Sequence, residues 1–187
     1  MGILVGLSPF IVYALMAGVS MSLALWLGLA AAFVVAIRDF VHSKSIRLLD
    51  MGGMAVFFLT AFFSGFIEPQ LKFQTVRLAV DCGFLFMAVV SLIRRDPLTL
   101  GHAREFAPKE MWARPDFIRG NYLVSIVWTV AFAITATVDG FANFDNTFPQ
   151  SIDIAVCLAA LGLAIAFTLR YRALAPVQTR RPAALRW

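Results

Sequence analysis

Residues 1–37 read MGILVGLSPFIVYALMAGVSMSLALWLGLAAAFVVAI, with no Asp, Glu, Lys, Arg or His among them. As one helix this stretch would be about 55 Å long, against a bilayer hydrocarbon core of about 30 Å, so it must turn back on itself. Gly18-Val19-Ser20-Met21-Ser22 carries the turn signal. Two spans therefore precede the first charged side chain, Arg38.

The rest of the chain repeats the pattern. Apolar stretches run over Met51–Ile67, Leu78–Ile93, Tyr122–Val138 and Ile152–Leu169. The whole chain of 187 residues is 60% hydrophobic and 14% charged, with a mean hydropathy of +0.81. Soluble domains run near half apolar and a quarter charged, so a water-soluble fold is excluded. Eighteen Phe and two Cys also exclude a disordered chain and a disulfide scaffold. The reading is an all-α polytopic membrane protein with six transmembrane helices in three hairpins. The spans fall at about 2–18, 22–38, 50–67, 77–93, 120–138 and 152–170, within one domain over 1–175, and a basic tail follows over 176–187. The apolar start runs on into a second span without a basic leader, so helix one is expected to be retained.

Basic residues test this threading. Arg38, Lys44 and Arg47 fall between spans two and three; Arg94, Arg95, Arg104, Lys109, Arg114 and Arg119 between four and five; Arg170, Arg172, Arg180, Arg181 and Arg186 at the end. All fourteen lie on one side, against Lys72 and Arg77 on the other, which puts both termini in the cytoplasm. Glu68, Asp81, Asp139, Asp145 and Asp153 fall at or near the opposite face. The excess of Arg over Lys, 13 to 3, points to a GC-rich bacterial source.

The loop between spans four and five is expected to be partly helical, with Asp96-Pro97 opening it and Leu98, Leu100, Phe106, Met111 and Trp112 forming an apolar side. Arg94, Arg95, Arg104, Lys109 and Arg119 then contact anionic lipid headgroups, each attraction being on the order of 1 kcal/mol. Threading accounts for the basic pI of about 9.8. No Gly-rich phosphate loop is present and no nucleic-acid partner is expected.

Small residues recur at four-residue spacing. Ala24, Gly28, Ala32 and Ala36 make a close-packing stripe on span two. On span five Asn121, Ser125, Thr129, Ala133 and Thr137 form a mostly polar stripe, read as a helix interface or a solute path. Ser8, Pro9 and Tyr13 add a possible kink and polar cavity in span one. Asp81 is the one ionisable group expected to intrude into the membrane, paired with Arg77 one turn before it, a proton or cation role being the alternative. Asp139, Asp145 and Asp153 are read as a solvated acidic turn, with attraction of a cation as the alternative. Cys82 and Cys157 sit near one face, where a disulfide is geometrically conceivable and two free thiols are the simpler reading.

Both histidines, His42 and His102, are placed in cytoplasmic loops, so no intramembrane haem ligand pair is available and no metal or cofactor is expected. No Cys-x-x-Cys, His-x-x-x-His or Gly-x-Ser-x-Gly is present, and the chain is read as non-enzymatic with no catalytic residue.

Pro97-Leu98, Trp112, Asn121, Trp128 and Phe132, with an outer loop and a last span ending in basic residues, resemble the intracellular septation protein A family of the bacterial inner membrane. The opening Leu7, Pro9 and Phe10-Ile11-Val12-Tyr13 is similar to that family's Leu-Pro segment. The resemblance implies a role in envelope maintenance and division through contacts with other membrane proteins. Three roles are thus expected, in this order: an interaction protein (scaffold, accessory subunit or envelope organiser) that binds other membrane proteins or itself; a small transporter or channel for a neutral or weakly polar solute; and a pigment- or cofactor-bearing subunit using aromatic grooves at Phe57, Phe58, Phe62 and Phe63.

Overall fold

The computed structural model describes residues 2–43, 48–105, 107–145 and 148–179. The long elements are α1 (Gly2–Met16), α2 (Met21–Ser43), α3 (Leu48–Phe62), α4 (Phe73–Ile93), α5 (Leu100–Glu105), α6 (Pro115–Phe144) and α7 (Gln150–Thr179). A π turn over Phe63–Ile67 extends α3, and a 3₁₀ turn over Lys109–Met111 precedes α6. No strand occurs among the described residues. Lys44, Arg47, Phe106 and residues 180–187 of the basic tail lie outside them.

Five segments are long and apolar enough to cross a bilayer: Met21–Val41, Leu49–Ile67, Phe73–Ile93, Pro115–Phe144 and Gln150–Tyr171. The expected first span is shorter than anticipated: α1 has 15 residues, about 22 Å of helix against a core of about 30 Å. Other helices overrun the expected limits, because hydropathy stops at a charge while backbone hydrogen bonding does not. Thus α4 begins before Arg77, and α6 starts at Pro115, whose missing N–H costs nothing at a first helical position. At the far end of α4, Arg95 takes a left-handed conformation (φ 57°). There the Asp96 N–H donates to the Ser91 carbonyl and the Arg95 N–H to the Leu92 carbonyl, a Schellman closure normally built with Gly.

Helices adjacent in sequence pack as antiparallel neighbours: α1 on α2, α2 on α3, α3 on α4 and α6 on α7, with α4 also lying along α6. The stripe on α2 is buried, and a Cβ added to Gly28 would lie 2.9 Å from the Phe57 ring. At the centre Phe10 meets Phe84 and Phe132 edge-on, with centroids 4.7 and 5.0 Å apart, and Trp128 packs on Phe132. The indole of Trp128 donates to the Thr168 hydroxyl at 3.1 Å, tying α6 to α7. The expected aromatic groove is divided: Phe57 is wholly buried, while Phe58, Phe62 and Phe63 are exposed on the apolar exterior.

The first part of the segment before α6 turns inward, while Pro108, Lys109 and Glu110 after it are exposed. Leu98, Thr99, Leu100 and Ala103 are buried, and α5 packs against α1 and α6. Thr99 anchors it: its N–H donates to the Ser125 hydroxyl at 3.2 Å and its own hydroxyl to the Asn121 carbonyl at 3.1 Å. An expected amphipathic segment has become part of the bundle, because α6 offers buried partners for backbone groups that lipid would leave unsatisfied.

Candidate functional site

Arg77 organises one end of the bundle. It stands a turn inside α4, and its guanidinium reaches α6 and α7: Nη2 lies 2.8 Å from Asp139 Oδ1 and Nη1 lies 2.6 Å from Asp153 Oδ2. Nη2 also approaches Cys157 Sγ at 3.2 Å. The carboxylates are 1% exposed and the arginine side chain 10%, so solvent contributes little to the pairing. The planar fork of arginine suits this bridge between two acids, which a lysine point charge would not reproduce. Asp153 is in the first turn of α7, where the helix dipole favours an anion.

This arrangement corrects two expectations. The partners of Arg77 are Asp139 and Asp153, 62 and 76 positions away in sequence, rather than Asp81 one turn on. The acidic turn is not solvated either: Asp139 and Asp153 are buried, and Asp145 alone of the three is exposed. Asp81 is also buried, beside Thr135 and Asp139, and Asp139 Oδ2 meets no donor. Three carboxyl groups thus surround one guanidinium, leaving room in the charge balance for a proton or a cationic group. The two cysteines are free, Cys82 exposed and Cys157 buried.

A cavity of about 160 Å³ opens on this cluster between α1, α4, α6 and α7. Tyr13, Arg77, Asp81, Thr135 and Cys157 supply its polar surface, and Phe10, Phe73, Ile154 and Leu161 are among its apolar walls. A second, smaller cavity of about 10 Å³, lined by Gly6, Pro9, Asp50 and Phe84, lies toward the opposite end. Phe10 borders both. This ring, following Pro9 in a short helix, is thus shared by two cavities whose walls are mostly apolar.

The residues singled out from sequence are dispersed. Tyr13 and Pro9 are buried and line the larger and smaller cavity respectively, and Ser8 is half-buried on the same helix. Asn121 and Ser125 are buried against Thr99. Thr129 and Thr137 donate to the carbonyls of Ser125 and Ala133 in their own helix, and Thr137 is exposed. Four-residue spacing on a helix drifts about 40° per step, so a stripe begun at Asn121 has turned about 160° by Thr137. The inward face follows Ser125, Trp128, Phe132, Thr135 and Asp139 instead, and the last two carry the chemistry. Arg94, Arg95, Lys109 and Arg119 are exposed, while Arg104 is half-buried with its guanidinium 5.9 Å from the Trp112 ring centre.

Compared with known proteins, the chain matches no family model, no curated protein and no solved structure.

Proposed function

We propose that this chain is a small multi-pass permease of the bacterial inner membrane, carrying small organic cations through the cavity beside Asp81. In this reading α1 completes six membrane passes, both termini are cytoplasmic, and the Arg77 end faces outward. The observation that carries it is the buried cluster of Arg77, Asp81, Asp139 and Asp153 beside a cavity with mostly apolar walls. Ionisable groups within a membrane bundle are costly and commonly mark solute or ion pathways. An apolar chamber with a few converging polar groups is the usual form of a small-molecule site. Asp139 and Asp153 already neutralise Arg77, which leaves Asp81 to meet a cationic head while Phe10, Phe73 and Leu161 meet an apolar body.

The interaction role expected from sequence drew on a near absence of intramembrane charge, on the small-residue stripes and on the missing extramembrane domain. Four ionisable side chains buried within α4, α6 and α7 weigh against the first of these grounds. Proteoliposomes carrying the purified chain should take up radiolabelled benzylammonium faster than empty vesicles. Asp81→Asn should cut that uptake by about tenfold or more, a charge-assisted hydrogen bond being worth about 1.5–3 kcal/mol. Uptake equal to that of empty vesicles, or unchanged by Asp81→Asn, refutes the proposal; absence of flux together with a stable hetero-oligomer would return the interaction role to the front.

A further inference from the structure

A second group of buried ionisable side chains lies at the other end of the bundle. Asp39 comes from α2, Asp50 from the first turn of α3 and His102 from α5. They are 0%, 4% and 1% exposed. We infer that Asp39, Asp50 and His102 form a binding site for a divalent first-row transition cation, zinc being the ion that the donor set and its spacing fit best.

Three observations carry this. The donors are one imidazole nitrogen and two carboxylate oxygens, all within 4.8 Å of one another, a set that zinc accepts. His102 Nε2 lies 3.3 Å from Asp39 Oδ2 and 3.4 Å from Asp50 Oδ1. Two ligands of a tetrahedral zinc with bonds of about 2.0–2.1 Å stand about 3.3–3.4 Å apart, so the three atoms already have the spacing of coordination partners. Finally, both oxygens of Asp50 and both ring nitrogens of His102 are buried without a hydrogen-bond partner, a condition that native interiors rarely tolerate and a cation would relieve.

Asp139, Asp153 and Cys157 also cluster closely enough to hold an ion, but there the guanidinium of Arg77 already supplies the positive charge. At this end Arg38 Nη1 lies 3.5 Å from Asp39 Oδ1, while neither oxygen of Asp50 has a hydrogen-bond partner among the described residues.

The surrounding chain is shaped for the imidazole. His102 lies against Gly6 of α1, where an added Cβ would overlap the ring. The small cavity bordered by Gly6, Pro9 and Asp50 has the room of about one water molecule, enough for a fourth, exchangeable ligand on the metal. The expectation of no metal rested on a solvated His102; burial of the loop containing it changes the chemistry.

This inference stands without the transport reading, since it concerns binding alone. The full chain, purified with a tag free of histidine and stripped with chelator, should take up one equivalent of Zn²⁺. Asp50→Asn and His102→Gln keep the side-chain volumes and should each weaken that binding by more than about 100-fold, beyond the roughly 10–100-fold cost of losing only an outer partner of a ligand. Co²⁺ in the unaltered protein should give the intense visible absorption of a tetrahedral nitrogen and oxygen site, which requires no variant to fold. No stoichiometric Zn²⁺ uptake by the wild type, a Co²⁺ spectrum of octahedral type, or a Zn²⁺ affinity in both variants unchanged from that of the wild type each overturns the assignment.

Discussion

Replacing Arg77 by Met keeps an unbranched apolar stem and deletes the charged guanidinium fork, leaving Asp139 and Asp153 at 1% exposure with no cation between them. Each charge pair, with centres about 4 Å apart, carries a gross attraction of about 4 kcal/mol at an effective dielectric near 20, most of it offset by the desolvation already incurred. Removing one member forfeits the attraction and keeps the desolvation, so Arg77→Met should destabilise the bundle by about 3–5 kcal/mol. The triple variant Arg77→Met, Asp139→Asn, Asp153→Asn removes the stranded charges together and should return to within about 1 kcal/mol of the parent. Reversible unfolding in mixed micelles, followed by helicity, measures both. A cost below about 1 kcal/mol for Arg77→Met is what a solvated pair would give, and it would refute the burial on which the site is built.

Thr129→Leu should leave benzylammonium uptake unchanged, because its hydroxyl donates to the Ser125 carbonyl of its own helix; lost uptake with intact folding would restore the α6 hydroxyl stripe as the path. Thr99→Val deletes the hydroxyl that meets Ser125 and Asn121 and should cost about 1–3 kcal/mol in the same unfolding assay, leaving buried polar groups unpaired. Arg95→Gly should stabilise the chain by about 1 kcal/mol, since glycine adopts the left-handed turn without a Cβ penalty; a loss of stability would mean that the Arg95 side chain contributes more than its backbone costs.

Helix positions were readable from the sequence because lipid punishes unpaired backbone and rewards continuous apolar runs. The spans expected at 50–67 and 77–93 correspond to α3 with its π turn and to α4. The site was much less legible. Asp81 stands out in the sequence as an ionisable group inside an apolar run, but spacing along one helix proposes only local partners, whereas Arg77 is satisfied by residues more than sixty positions away. Thr135 and Asp139 sit on the inward face of α6, yet a stripe drawn at fixed four-residue steps leaves that face within a few turns. His102 stands between Gly101 and Ala103 in a loop rich in charge, and it is hidden because Leu98, Leu100 and Ala103 carry the loop inward while Gly6 leaves space for a ring. A glycine in an otherwise bulky helix was the available signal, though it does not name what fills the gap.

In the proposed six-pass topology the Arg77 cluster and the His102 cluster face opposite sides of the membrane. Gly18 lines the Arg77-end cavity with open space around it, and Lys109 is exposed in the segment leading from α5 to α6. Cysteines introduced separately as Gly18→Cys and Lys109→Cys can be probed in intact cells with a membrane-impermeant maleimide, against the parent as background. The account predicts labelling of Gly18→Cys from outside and of Lys109→Cys only after the cells are opened. Labelling of both from the same side would contradict it.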